Sequence, residues 1–391
     1  MARGAIVVRI MANGDKRYNT IIRVNGRQRW MTFTKKREAE DYLDRHSTDV
    51  RDGTYREIKK ATFSEYAALW RQTHLIPEIF KPSTYNSYCC ILDRHLLPAL
   101  GPCPVTAITA QEVNTLIATL LKGTRTAEEA RKPISKKTVC NVLILLSEIL
   151  NAARAEGYLK VSPMPDVEKP RIEREKKGRA LKPDEIQSIL EQCREPLRLM
   201  FLTALLTGMR SGELFGLWWE DFDWENNVIR VQRAVYWRDG RNHKKAAGDS
   251  PWVYVMPKSA KSVREIDLSP ALRKELLALY MKGPKTGLVF RTSSGTPFRP
   301  NNITRRSFRI ALRDAEAARA KAKLPAIGSL RWHDLRHTFG SIKIEQGENP
   351  YYVQRQMGHS SIQITFDVYG HLLETRKPEA AAKTDEFVFG R

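Results

Sequence analysis

Residues 163–180 are the clearest linker in the chain. Pro163, Pro165 and Pro170 remove backbone donors and break any helical or strand period, and Arg171, Arg174, Lys176, Lys177 and Arg179 follow at once. Such a stretch reads as a strongly basic linker. At 391 residues the chain has length for two or three domains, each with its own core. The break therefore separates an N-terminal part from a C-terminal part.

The N-terminal part opens with three strand-like runs, Ala5 to Met11, Tyr18 to Val24 and Arg29 to Phe33. They are separated by Asn13-Gly14 and Asn25-Gly26. Asn-Gly tolerates the positive φ that tight hairpins need, so the expected fold is a three-stranded antiparallel meander. Thr34 is placed to cap a following helix whose apolar stripe is Ala39, Tyr42 and Leu43. Residues 1–60 hold 15 basic and 8 acidic side chains, with Arg17, Arg23, Arg27 and Arg29 crowding the second hairpin. A basic three-stranded sheet can enter a DNA major groove; arginines that merely solvate an exposed face give the same pattern.

From residue 62 to about 160 the period becomes helical. Thr62-Phe63-Ser64-Glu65 and Thr109-Ala110-Gln111-Glu112 are capping boxes, each followed by apolar residues at helical spacing. Thr84 to Leu97 and Lys136 to Glu156 complete a set of four helices, the last closed by Gly157. Lys136 and Lys137 stand at a helix start, where phosphate or plain solvent would suit them.

Overall charge narrows the choice of partner. The formal charge is +22 and the pI about 9.8, a surplus that points to a polyanion, nucleic acid first. No basic amphipathic helix suited to a membrane surface stands out, and the longest largely apolar run, residues 199–206, is too short to span a bilayer. Five cysteines without a CxxC spacing imply neither a disulfide framework nor a structural zinc site, and fit a reducing cytoplasm. The first residues show no secretory segment.

After Leu181 the chain reads as two helices, a small sheet and further helices. Strands are expected at Val228 to Trp237, Trp252 to Met256 and Arg264 to Leu268, and Asp334 is expected to cap a helix that Gly347 closes. Several groups here carry useful chemistry. Arg210 lies in a glycine-flanked turn after a buried helix, with Glu213 three residues on to brace it. A lone arginine in such a place is usually a surface ion pair. Lys258 and Lys261 lie between two expected strands, where an ammonium at a hairpin tip could protonate a leaving oxygen or simply be solvated. His333 and Arg336, at spacing i, i+3, share a helix face that suits an oxyanion, while His337 is expected to point elsewhere. His359 follows a helix break at Gly358, and Tyr369 comes ten residues later. Spacing alone does not single out Tyr369 among 13 tyrosines.

Arg210, Lys258, His333-x-x-Arg336, Gly358-His359 and Tyr369, in this order, resemble the active-site signature of the tyrosine recombinases, the phage-type site-specific integrases. Met357 stands where that family usually has leucine. Lys258 is favoured over Lys261, although a serine follows each. The resemblance covers nearly the whole chain and implies an α+β protein of three modules. Residues 1–56 would be an arm-type DNA-binding sheet with its helix and 62–165 a SAM-like helical core-binding domain. Residues 166–180 would be a basic linker and 181–391 a mainly helical catalytic domain with a small antiparallel sheet and a C-terminal tail.

The same resemblance implies an enzyme that cuts and rejoins DNA through a 3′-phosphotyrosyl intermediate, integrating or excising a mobile element such as a prophage. Tyr369 would be the nucleophile. Arg210, Arg336 and His359 would hold the phosphate, His333 would take or position the tyrosine proton, Lys258 would protonate the 5′-oxygen and Glu213 would hold Arg210. Arg174, Lys176 and Lys177 join the arginines of the sheet, Lys136 and Lys137 as candidate DNA contacts. No cofactor or metal is implied. The partners implied are double-stranded DNA with core and arm-type sites, a homotetramer on paired sites in the bacterial cytoplasm on the nucleoid, and in some systems a DNA-bending accessory protein. The apolar patch on the otherwise polar tail, Phe387, Val388 and Phe389, is a candidate contact with a neighbouring copy. Rival readings are a type IB topoisomerase-like enzyme and a DNA-binding architectural protein without activity.

Overall fold

Asn13-Gly14 forms the expected hairpin. Gly14 takes φ +84°, and Met11 and Asp15 close the turn through backbone bonds of 2.9 Å. This is a computed structural model, which describes residues 4–24, 27–51, 58–125, 130–172, 180–238, 250–256, 263–373 and 378–390. The backbone divides into two units, Met1–Ile172 and Glu173–Arg391.

In the first unit, strands Ala5–Ile10, Lys16–Val24 and Arg27–Phe33 pair antiparallel in that order. The second Asn-Gly pair lies outside the described residues. Helix Lys36–Arg51 begins one residue later than a Thr34 cap would require. Register divides the expected arginine set. Arg29 lies opposite Ile22, on the face where Ile22 and Thr20 are buried and Phe33 meets Tyr42 of the helix. Arg17 lies opposite Arg9 and shares the other face with Asn19. The side chains of Arg23 and Arg27 lie outside the described set.

Four helical segments follow, Phe63–Thr73, Pro82–Ile91 continued to Leu100 through a π-turn, Ala110–Lys122 and Lys136–Ala155. Both expected capping boxes form. Thr62 N donates to Glu65 and Glu65 N to Thr62, and Thr109 and Glu112 do the same. Lys136–Ala155 is long and apolar enough by composition to cross a membrane. Here it is the central helix of the bundle, with Val139, Val142, Leu145, Leu146 and Ile149 at 2% exposure or less. Each such side chain contributes about 1.5–3 kcal/mol on burial. Lys136 and Lys137 stay exposed in its first turn. Val167 joins this core, inside the segment read as linker. Arg174, Lys176 and Lys177 lie outside the described residues.

The second unit is built on Phe201, Phe215, Phe308 and Trp332, whose rings stack or meet edge to face. The strand expected over residues 228–237 is two strands in two sheets. Val228–Val231 lies between Phe222–Asp223 and Arg264–Asp267, while Ala234–Trp237 pairs with Trp252–Val255. The chain leaves the first sheet at Arg233, which is drawn aside by a bond to Asp221 (2.7 Å) and by its stacking on Trp218. The strands flanking Lys258 and Lys261 thus pair with other strands rather than with each other, so they form no simple hairpin. Both lysines lie outside the described residues. Asp334 is inside helix Asp334–Glu345, not its cap. It accepts from Arg331 N and Nη2, and His333 takes the cap position.

Candidate active site

Two left-handed glycines end two helices of the second unit. Helix Leu197–Thr207 stops at Gly208 (φ +61°), and helix Pro350–Met357 stops at Gly358 (φ +64°). Each glycine offers its carbonyl to an arginine from a different segment. Arg336 Nη1 donates to Gly208 O at 2.7 Å, and Arg210 Nη2 donates to Gly358 O at 2.8 Å. A side chain would fit at neither place, because a Cβ would fall 2.5 Å from Phe339 at position 208 and 2.9 Å from Arg264 at position 358. Arg210, Arg336 and the segment leading to His359 are thereby joined.

Glu213 anchors the cluster. Its carboxylate, 5% exposed, accepts from Arg210 N and Nη1 at 2.9 Å, and from Arg264 at 3.2 and 2.8 Å. Arg264 itself is buried and donates Nε to Gln356 O at 2.7 Å. Burial alone would raise the Glu213 pKa, but Arg264 and then Arg210 outweigh it and hold it at about 2. Arg336 is buried too. Lost hydration, then Arg210, lower its pKa to about 9, so it stays charged at neutral pH.

His359 places Nδ1 2.9 Å from the hydroxyl of buried Thr365. When Thr365 donates, the proton resides on Nε2, which then donates to whatever lies beyond. Burial, then Arg336 and Arg210, hold the His359 pKa near 3, so the ring is neutral. His333 is also lowered, to about 4, by lost hydration and by His337 and Arg336.

Tyr369 ends helix Ile362–Tyr369 and is only 2% exposed, packed with Phe339, Ile344, Val353 and Met357. Burial raises its pKa above that of free tyrosine. Its ring lies in a notch left by Gly340, where a Cβ would fall 2.3 Å from Cζ and 2.5 Å from the hydroxyl oxygen. That oxygen is 3.4 Å from Nδ1 of His337. Contrary to the sequence reading, His337 points at the tyrosine, and its ring meets His333 edge-on at 5.1 Å. In Gly340→Ala the methyl group must displace the ring. Overpacking of this kind costs about 1–3 kcal/mol, against roughly 1 kcal/mol gained in helix propensity. The expected outcome is a thermal midpoint no higher than the parent's and a slower tyrosine reaction. Unchanged kinetics would show that the notch does not hold the ring.

Arg210, Glu213, Arg336 and His359 therefore meet in one network, with His333 and Tyr369 joined to each other through His337. Arg264, Thr365, Gly340 and the role of His337 were missed from sequence. A buried arginine on a short strand and a helical threonine carry no local signature, and only His337 stood beside a motif already noticed.

The phage integrase family model matches residues 179–376, and the model of a SAM-like N-terminal domain of phage integrases matches residues 62–121. The ICEBs1 integrase of Bacillus subtilis is 26% identical, covering 79% of this chain and 79% of its own length. A XerC-like tyrosine recombinase of Caldanaerobacter subterraneus is 25% identical, covering 94% of this chain and 95% of its own. Among solved structures, the Tn1549 transposon integrase in complex with transposon right end DNA superposes with TM-score 0.62 at 21% identity, covering 85% of this chain and all of that one. A lambda integrase dimer bound to a core site gives TM-score 0.58 at 15% identity, covering 95% and 97%.

Proposed function

The chain belongs to the phage integrase family of tyrosine recombinases, and from that membership we infer that it is a site-specific recombinase. It cuts and rejoins DNA strands in the integration of a mobile element. The observation that carries this reading at residue level is the union of Arg210, Arg336 and His359 around the two glycine turns. Two guanidinium groups and a neutral imidazole can hold the non-bridging oxygens of a phosphate as charge develops in the transition state. Tyr369 attacks phosphorus, the 3′-phosphate becomes linked to its oxygen, and the 5′-oxygen leaves with a proton. We assign that proton to Lys258, ahead of Lys261, because the family's lysine precedes a serine or threonine as Lys258 does, although Lys261 does so too. Glu213 holds Arg210 in place, and His333 steadies the ring of His337. The phosphotyrosyl bond keeps the phosphoester energy, so rejoining reverses the same steps.

The wider assignments follow the family. Residues 62–165 would grip core-site DNA and residues 1–56 an arm-type site. Arg9, Arg17 and Asn19, on the sheet face turned away from the helix, suit a groove better than Arg29 does. Phosphate contacts would dominate affinity and make it strongly salt-dependent. Lambda integrase has been solved as a tetramer on a Holliday junction, which supports a multimer on paired DNA sites here. The exposed Phe387, Val388 and Phe389 at the end of helix Pro378–Phe389 would contact a second copy. An accessory DNA-bending protein would bring separated arm and core sites together. All of this takes place in the bacterial cytoplasm, where the DNA is.

The direct test uses a nicked suicide duplex spanning the junction of the mobile element that carries the gene. The expected result is a protein–DNA adduct that survives denaturation and maps by peptide sequencing to Tyr369. An adduct on another residue, or none on any junction duplex, would overturn the residue assignment.

A further inference from the structure

We propose that His337, rather than His333, is the base that takes the proton of Tyr369. The proposal rests on the reading of Tyr369 as nucleophile and adds the group that activates it. The geometry is local. Among the described residues, His337 Nδ1 is the hydrogen-bond partner of the tyrosine hydroxyl, at 3.4 Å. Gly340 lies three residues along the same helix, and its missing side chain is what lets the ring lie against that face. His333, one turn earlier, meets His337 and not the hydroxyl. A contact of 3.4 Å is long for a neutral hydrogen bond, as is common before a substrate draws the reacting groups together.

Charge at this place favours a proton acceptor. The groups that face His337 are Asp334, Arg331, Arg336 and His333 from its own segment, and Tyr369 and His359 from neighbouring segments. Lost hydration, with Arg331 and Arg336, outweighs Asp334 and lowers its pKa below the ordinary 6.5. His337 is therefore neutral at pH 7, with a lone pair available on Nδ1 when the proton sits on Nε2.

The step balances. The Tyr369 hydroxyl proton passes to Nδ1, giving an imidazolium, while the oxygen pair forms the bond to phosphorus. The bond from phosphorus to the 5′-oxygen breaks, and that oxygen takes a proton from the acid assigned to Lys258. In rejoining, the 5′-hydroxyl attacks phosphorus and returns its proton to that acid. The bond from phosphorus to tyrosine breaks, and the imidazolium returns its proton to Tyr369.

A test separates base from acid through the leaving group. Two nicked suicide duplexes over the same junction are compared, one with the natural 5′-oxygen and one with a bridging 5′-sulfur, which departs without a proton. With His337→Gln, cleavage at pH 7 is expected to fall roughly 100-fold on both duplexes and to recover about tenfold per pH unit toward pH 9, as hydroxide replaces the base. His333→Gln is expected to keep the parent's pH profile. A His337→Gln rate within about threefold of the parent, or full rescue by the sulfur duplex, would overturn the proposal.

A second measurement needs no variant, so a misfolded His337→Gln leaves the proposal exposed. The full chain at saturating concentration on the sulfur duplex should lose rate as pH falls below the ordinary histidine range, and a flat profile from about pH 5 to 8 would overturn it. Peptide mapping of the adduct keeps the two readings apart. An adduct on another residue defeats the nucleophile assignment, whereas an adduct on Tyr369 with parent-like His337→Gln kinetics defeats only the base.

Discussion

Tyr369→Phe is expected to form no covalent adduct and yet to fold at least as stably as the parent chain. The two effects have one cause. The tyrosine hydroxyl is buried among apolar side chains and, among the described residues, has one long polar contact, to His337. Such a group costs about 1–3 kcal/mol in desolvation when poorly bonded. Its removal leaves a ring of the same shape in the Gly340 notch, so the expected change in stability is zero to about 1 kcal/mol in favour of phenylalanine. Activity, in contrast, loses its nucleophile. The check pairs a thermal melt with the suicide-duplex assay and a gel shift at fixed salt. A variant that binds DNA, melts no lower and gives no adduct meets the expectation. A fall of many degrees in its melting temperature would mean that the hydroxyl is a structural bond after all.

Glu213→Gln is expected to be the most destabilising single change in the site. The carboxylate is buried between Arg264, itself 4% exposed, and Arg210. The neutral amide removes the buried charge that faces Arg264 and Arg336. Breaking a buried pair from one side costs about 3–5 kcal/mol, which in a unit of this size lowers the melting temperature by about 10 °C. The pH dependence has the same source. The folded pKa near 2 lies below the free value of 4.5, so the stabilisation is complete above about 4.5 and is lost as pH falls toward 2. A depression of that size is worth about 3 kcal/mol at neutral pH. Acid unfolding of the parent should begin in that window, and Glu213→Gln should lose that part of the slope. A variant that melts with the parent at pH 7 would show that the two arginines find other partners.

The parts legible in sequence were those governed by near neighbours in the chain. Asn13-Gly14, the capping boxes at Thr62 and Thr109, and the glycine at 358 act within a few residues, and each forms as read. The broken strand at residues 228–237 was not legible, because its cause is an ion pair between Arg233 and Asp221 with a ring stack on Trp218, and no local propensity reports these. Asp334 was misread as a cap because its actual donors, on Arg331, precede the helix. Within the site, Arg210 and Glu213 were visible at spacing i, i+3. Arg264, 51 residues from Glu213 in sequence, was not. His337 was set aside because neighbouring residues on a helix diverge in direction. The divergence is present, and it is what turns His337 toward Tyr369 while Arg336 reaches Gly208.

Arg210, Arg264 and Arg336 gather around one carboxylate, and the lowered pKa of Arg336 registers lost hydration first and then repulsion by Arg210 and Arg264. Three guanidinium groups drawn to one place favour a further anion there. A tetrahedral anion between the guanidinium groups would relieve a stress that the fold itself created. Sulfate or vanadate should accordingly raise the melting temperature of the unit with a concentration dependence that chloride does not reproduce. On the proposed reading the scissile phosphate would supply that charge, and the DNA would serve the fold as a counterion before it becomes the reactant.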